Sequence, residues 1–149
     1  MPAESRRKNV EERTRQTDGF PFVQVIEGVK DDHARILNLF RQFHSASEDN
    51  RRKIVDFIFQ ELETHFAMEE EWVYPALAES GIEGKQVAQG ALAEHAAVKT
   101  AIGKLRNIES DDDDAIDQSF ENMMQAVRQH FETEERSLMR LAGKGPKKT

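Results

Sequence analysis

Four of the five histidines in this 149-residue chain occupy positions where imidazole nitrogens and carboxylate oxygens would come together. Two of the four belong to the spaced pairs His65-x-x-x-Glu69 and His130-x-x-x-Glu134. Side chains four residues apart on an α-helix differ by about 40° around the axis and by about 6 Å along it, so each pair faces one point. Imidazole and carboxylate groups are common ligands of first-row metal ions, and this spacing therefore points to metal binding.

The other two histidines, His33 and His95, also lie on apolar stripes, and each of the four histidines falls on a different predicted helix. An apolar stripe covers about three-sevenths of a helix, so four independent histidines would all fall on one only a few per cent of the time. A single buried histidine is most simply a core residue that a carboxylate satisfies. Four of them together with two glutamates indicate a common site instead.

Four amphipathic helices must position these groups, because apolar residues recur at spacings of three and four and β-branched alternation is absent. The predicted helices span residues 23–43, 48–78, 84–108 and 112–141. The connections between them are short, which forces neighbouring helices to run antiparallel. The predicted fold class is therefore all-α, an up-down-up-down antiparallel four-helix bundle.

The second predicted helix has two features of its own. Its inward-facing residues are predicted to be Ile54, Phe57, Ile58, His65, Glu69, Trp72 and Val73. Pro75 near its end should kink the last turn, because proline lacks the amide hydrogen and its ring meets the preceding turn.

The candidate ligands should also share one height in the bundle. Counted from loop centres near residues 47, 82 and 111, the four histidines differ in height by about one helical turn. Burying two carboxylates and four imidazoles in an apolar bundle would be costly without a cation. We therefore predict six metal ligands, namely His33, His65, Glu69, His95, His130 and Glu134.

The donor set indicates the kind of metal. Six nitrogen and oxygen ligands with two carboxylates able to bridge suit two first-row ions, with iron or manganese ahead of zinc. A single tetrahedral zinc would use only three or four of them. Ligands spread over four helices leave coordination positions open for a small molecule or water.

The order His, His-x-x-x-Glu, His, His-x-x-x-Glu on four helices resembles the hemerythrin-like (HHE cation-binding) family. The segments that carry the resemblance are DDHARIL, THFAMEEEWVYPAL, LAEHAAV and HFETEE, and it spans about residues 25–141. The resemblance implies a non-haem centre of two iron ions that binds dioxygen or related small oxidants. It also implies terminal ligands at His33, His65, His95 and His130, and bridging carboxylates at Glu69 and Glu134.

The chain departs from the oxygen carriers of that family, which have a second histidine on the third helix and an aspartate near the end of the fourth. Ala91 and Glu134 occupy the corresponding positions here. These departures favour the iron-, redox- or nitric-oxide-responsive members. Glu70 or Glu94 could complete the metal shell, although each is more simply a solvated helix residue. His44 lies about 16 Å along the axis from His33 and is predicted to lie outside the centre.

The function predicted from the sequence is to bind or sense dioxygen, peroxide or nitric oxide at this dinuclear centre. A second hypothesis is a di-metal enzyme that turns over peroxide or nitric oxide at the same residues. A third is a metal-free helical module that recruits a protein partner. The residues do not decide whether the chain is an enzyme, and they identify no protein partner.

Composition bounds these hypotheses. The absence of cysteine excludes disulfide scaffolds and thiolate metal sites, and it is compatible with a reducing cytoplasm. A net charge of −7 argues against nucleic-acid binding, which needs a surplus of basic residues. No secretory signal and no membrane span are recognised, so we expect a cytoplasmic protein without membrane contact. The expected organisation is a charged arm (1–22), the bundle (23–142) and a basic tail (143–149).

Overall fold

The structure, a computed structural model, describes residues 21–108 and 113–143. Within these ranges the chain forms helices and no strands. The helices are α1 (Phe22–Ser45), α2 (Glu48–Met68), α3 (Tyr74–Glu79), α4 (Ile82–Arg106) and α5 (Asp113–Gly143). A π-helical turn, Glu69–Val73, joins α2 to α3. The arm and the tail expected from the sequence lie almost wholly outside the described residues.

The segments α2, π turn and α3 form one continuous rod, which we call the second rod. The backbone keeps right-handed helical angles at both junctions, with φ −65° and ψ −42° at Glu69 and φ −68° and ψ −40° at Tyr74. The second rod corresponds to the second predicted helix. With α1, α4 and α5 it makes the four rods of the bundle.

Pairs of charged or polar side chains show that neighbouring rods are antiparallel. His33 of α1 lies beside Glu135 of α5, whereas His44, further along α1, lies beside Glu121, which comes earlier in α5. The same reversal relates α1 to the second rod and the second rod to α4. Each rod packs against two others, in the cyclic order α1, second rod, α4, α5. The predicted all-α bundle is confirmed.

The core consists of two apolar clusters, one on either side of a polar layer. The larger cluster contains the aromatic residues of the end at which α1 meets α2, among them Phe40, Phe59 and Phe120. The smaller cluster lies towards the end at which α3 meets α4 and includes Val29, Leu77 and Leu138. The polar layer between them contains His33, His65, His95 and His130.

One predicted inward residue is wrong. Phe57 is 55% exposed, whereas Leu62 and Phe66 of the same helix are fully buried. At about 100° per residue, Phe57 lies about 140° around the helix from Leu62, which is outside the buried stripe. An aromatic residue next to that stripe was mistaken for a part of it.

The connection between α3 and α4 depends on two glycines. Gly81 has φ 147°, a conformation that side-chain-bearing residues rarely adopt, and it directly precedes α4 as its N-cap. At Gly84, an added Cβ would lie 2.1 Å from the backbone oxygen of Leu77, so only glycine lets α4 approach α3 this closely.

Among the described residues, no helix combines the length and the apolar character that crossing a membrane requires.

Candidate metal centre

The structure brings all six predicted ligands together in the polar layer, where each residue is at most 3% exposed. They form two groups, and within each group one nitrogen or oxygen atom of every member lies within 4.8 Å of those of the others. The first group is His33, His65, Glu69 and Glu134, and the second is Glu69, His95, His130 and Glu134. Both glutamates therefore belong to both groups, and each group has two histidines of its own.

The inner nitrogen, Nε2, of each histidine points into this layer. His65 Nε2 and His95 Nε2 are each 3.2 Å from Oε1 of Glu69. His95 Nε2 is also 3.0 Å from Nε2 of His130. Two imidazole lone pairs at that distance repel each other unless they share a proton or a cation. These short distances between donor atoms therefore favour a proton or a metal cation within the layer.

Four inward-facing atoms lack a hydrogen-bond partner among the described residues. They are Nε2 of His33 and His65, Oε2 of Glu69 and Oε1 of Glu134. His33 Nε2 and Glu134 Oε1 are only 3.0 Å apart, yet their alignment does not make a hydrogen bond. A buried polar atom without a partner costs about 1–3 kcal/mol. A metal ion would satisfy these donor atoms, so the residues fit one.

The π turn adds a seventh side chain to the layer. Glu69 and Tyr74 are five residues apart, which on an α-helix would place them about 140° apart. A π-helical turn instead bonds residue i to residue i+5, and here the Tyr74 amide donates to the Glu69 carbonyl. Both side chains therefore face inward. Pro75 follows at the start of α3, so the expected kink is replaced by this widened turn.

The Tyr74 hydroxyl lies among the donor atoms of the second group. It is 3.1 Å from Oε1 of Glu69 and 3.0 Å from Nε2 of His95, and it donates a hydrogen bond to Glu134.

Ala91, the position where the oxygen carriers have a histidine, is buried in the same apolar cluster as the Tyr74 ring. The sequence interpretation missed Tyr74, because helical periodicity places it off the Glu69 face. Pro75 was the available signal that the period changes here.

Protons hold part of this cluster together in the metal-free protein. Burial by itself would lower the pKa of His65, but the Glu69 carboxylate and the hydrogen bond with Asp32 outweigh burial and raise that pKa to about 10. Burial raises the pKa of Glu134 well above its usual value, and the charge of Glu69 adds to this. The layer therefore contains a charged His65–Glu69 pair beside a neutral Glu134. Metal ions would displace such protons on binding.

Three further titratable groups of the layer, His33, His130 and Tyr74, are held neutral. Burial, helped by the charge of His65, lowers the pKa of His33 to about 3. Burial also lowers the pKa of His130. Burial and the nearby carboxylates raise the pKa of Tyr74 far above its usual value. At neutral pH, His33 and His130 are thus uncharged imidazoles, each able to offer one nitrogen lone pair.

Each histidine makes a further hydrogen bond on its outer side, between its Nδ1 atom and a carboxylate. The distances are 2.7 Å for His33–Glu135, 2.9 Å for His65–Asp32, 2.9 Å for His95–Glu70 and 2.7 Å for His130–Glu94. We call Asp32, Glu70, Glu94 and Glu135 the carboxylate ring. A carboxylate only accepts hydrogen bonds, so Nδ1 carries a hydrogen in all four histidines, and in a neutral imidazole Nε2 then keeps its lone pair towards the layer. Metal binding at Nε2 requires this tautomer. In the charged His65 of the metal-free protein, Nε2 also carries a proton, which a metal ion would displace.

The sequence interpretation missed most of the carboxylate ring. Asp32 and Glu135 were not singled out, and Glu70 and Glu94 were considered only as inner ligands or solvated residues. The structure gives the last two a different role, since they bond to the outer nitrogens of His95 and His130. A signal was present, because every member of the ring directly adjoins a predicted ligand in the chain.

Two aromatic rings stack on histidines of the polar layer. The Phe131 ring stacks on His33 with centroids 3.7 Å apart, and the Phe66 ring stacks on His95 at 3.9 Å.

The fifth histidine, His44, is partly exposed, pairs with Glu121 and belongs to neither donor group, in agreement with the expectation from its spacing.

The chain is similar to one family of known proteins over most of its length. A family model described as the hemerythrin HHE cation binding domain matches residues 24–142. The comparisons with curated proteins and with solved structures found no match. The matched range covers well over half of the chain, and it contains the six predicted ligands, Tyr74 and the carboxylate ring.

Proposed function

Because the chain belongs to the hemerythrin HHE cation-binding family, we propose that it is a non-haem di-iron protein that binds or senses dioxygen, peroxide or nitric oxide. Imidazole and carboxylate donors suit iron, with manganese and zinc as the alternatives. In this proposal His33 and His65 hold one ion, His95 and His130 hold the other, and Glu69 and Glu134 bridge them. The compartment that we propose is the reducing cytoplasm, where iron stays in its soluble ferrous form.

The observation that carries the proposal is the sharing of both glutamates by the two donor groups. Two independent structural ions would need no common ligand, whereas a pair of ions that acts as one centre does. The groups are buried from solvent, and each has two histidines of its own. The unpartnered atoms of Glu69 and Glu134 lie in this layer as well, where bridging would give them partners.

Bound iron would supply an open coordination position and a reversible change of oxidation state. The chain's own residues hold the donors together and keep water away from them. The Phe66 ring covers one face of the His95 ring, and the Phe131 ring covers one face of the His33 ring. In so dry a layer, each charge acts more strongly on its neighbours than it would in water.

Tyr74 is the seventh donor in this proposal, on the side of His95 and His130. Replacing it with phenylalanine should leave Glu134 without its buried hydroxyl partner and destabilise the metal-free protein by about 1–3 kcal/mol. In the iron(III) protein, Tyr74→Phe should also remove the visible absorption that a phenolate ligand gives to iron(III). Urea unfolding and the visible spectrum measure the two effects. A variant with unchanged stability and an unchanged spectrum would exclude this role for the hydroxyl.

Elemental analysis of the purified protein tests the main proposal. We expect about two iron ions per chain, with near-ultraviolet charge-transfer bands, because six to seven nitrogen and oxygen donors suit two ions. Removing the metal with a chelator should lower the thermal unfolding midpoint, because metal that binds only the folded chain stabilises it. Restoring iron(II) to the same sample should reverse the shift.

The outcomes also separate the rival functions. A protein without stoichiometric metal that stays fully folded, with an unfolding midpoint that chelation does not change, would contradict the di-iron proposal and support the interaction module. A stable spectroscopic adduct with nitric oxide or peroxide is expected of a binding or sensing protein. Steady consumption of either molecule would indicate the enzyme instead.

A further inference from the structure

The carboxylate ring closes a circle around the bundle. Taken in the packing order of the rods, each rod supplies one carboxylate to the histidine of the next rod. The circle closes where Glu135 of α5 meets His33 of α1. Residues adjacent in the chain lie about 100° apart on a helix, so the neighbour of an inward ligand faces the seam between two rods. The ring occupies these four seams.

We propose that the carboxylate ring is a set of positioning residues that fixes the four imidazoles in the Nδ1–H form and makes their Nε2 atoms stronger metal donors. The inference rests on the proposed function, because it assigns these residues a role towards the metal ions. A carboxylate behind a metal-binding histidine orients the ring and raises its basicity as a ligand. Here all four histidines have one.

A merely structural role for these contacts explains less. Rods can be joined by ordinary ion pairs, such as the one in which Arg106 bonds both oxygens of Glu63. Exposed pairs of that kind contribute little to stability, and nothing directs them to a candidate metal ligand. The ring contacts end on the outer nitrogen of a candidate ligand in every case. This shared end point distinguishes them from helix-joining pairs.

The members of the ring differ in their other partners. Asp32 also contacts Arg35 at 3.1 Å, and Glu70 also accepts from Lys99 at 2.8 Å. Within the part of the chain that the structure describes, Glu94 and Glu135 have no Lys or Arg at ion-pair distance. Neither carboxylate is held in a direct ion pair with a cation, although the charge of Lys30 acts on Glu135 from further away, and they are the two members to test.

The test compares two replacements of Glu94 with a matched control. Glu94→Gln keeps a hydrogen-bond acceptor for His130 but removes the charge, whereas Glu94→Ala removes both. Glu132→Gln removes the same charge from an exposed position of α5, two residues from His130. The same pair of replacements at Glu135 tests His33.

Binding of iron(II) alone is measured without oxygen, in competition with a coloured chelator. We expect each alanine variant to bind iron(II) about 10–100-fold more weakly than the Glu132→Gln control. Each glutamine variant should recover part of that loss, because it still orients the ring. The reduction potential of the iron-loaded glutamine variants should lie above that of the control, because a less electron-rich imidazole stabilises iron(III) less.

A second measurement works without metal. Long-range ¹H–¹⁵N NMR of the metal-free protein should show His130 with its hydrogen on Nδ1 in the wild type and in Glu94→Gln, and mixed tautomers in Glu94→Ala. If the wild type bound no iron(II) while the tautomers followed Glu94 in this way, the proposed function would be wrong and the positioning of the rings would stand. If the alanine variants bound iron(II) as tightly as the control, or kept their tautomers, the positioning role would be wrong and the proposed function would stand.

Discussion

Replacing Glu69 with alanine should abolish the binding of both metal ions, rather than of one. Glu69 belongs to both donor groups, so its loss removes a ligand from each of them. It also removes the carboxylate that faces Nε2 of the fully buried His65, which is then paired only with Asp32 on its outer side. Removing one member of a buried ion pair costs about 3–5 kcal/mol. Elemental analysis and urea unfolding of the metal-free variant measure the two losses.

Two further variants make this expectation specific. Glu134→Ala should also remove both ions, because Glu134 is shared in the same way. His33→Ala should affect only the first group and leave about one ion per chain, held by the second donor group. Glu132→Ala, at an exposed position of α5 two residues before Glu134, should leave the metal content unchanged. If Glu69→Ala and Glu134→Ala both retained two ions, the bridging assignment would be wrong.

Phe66→Ala is expected to cause a large loss of stability, about 3–5 kcal/mol, because it leaves a cavity in a close-packed core. The Phe66 side chain is fully buried in the larger apolar cluster. Its ring also stacks on His95, so the cavity would open next to the second donor group. We therefore expect weaker metal binding as well. Unfolding in urea with and without iron(II) separates the two effects.

Phe57→Ala on the same helix is the matched control. Phe57 is more than half exposed, and surface replacements of this kind change stability by about 0.5 kcal/mol or less. A loss at Phe57 as large as the loss at Phe66 would contradict the arrangement of the core around α2. It would instead support the inward orientation that periodicity alone predicted for Phe57.

The bundle could be predicted because its signals are local. Apolar spacings of three and four determine each helix, and short connections leave antiparallel packing as the simplest arrangement. Errors arose where a position depends on the exact rotation of a helix. Phe57 lies beside the buried stripe of α2, and which flank of a stripe is covered depends on the neighbouring rods.

The six candidate ligands could be predicted for a related reason. Residues four apart, such as His65 and Glu69, share a face of any α-helix, and similar distances from the loops place all four histidines at one height. The structure brings these six residues together. Their role as metal ligands remains a proposal, which the stoichiometry of the Glu69 and Glu134 variants tests.

The sequence by itself determined the four helices, their amphipathic faces and the six polar residues on those faces, because helical geometry relates near neighbours in the chain. Only the tertiary structure decided the roles of Tyr74 and of the carboxylate ring. Tyr74 faces the layer because the second rod adopts a π turn, which α-helical periodicity does not anticipate. Each ring carboxylate faces a seam, and its hydrogen bond depends on the spacing and rotation of two rods distant in sequence.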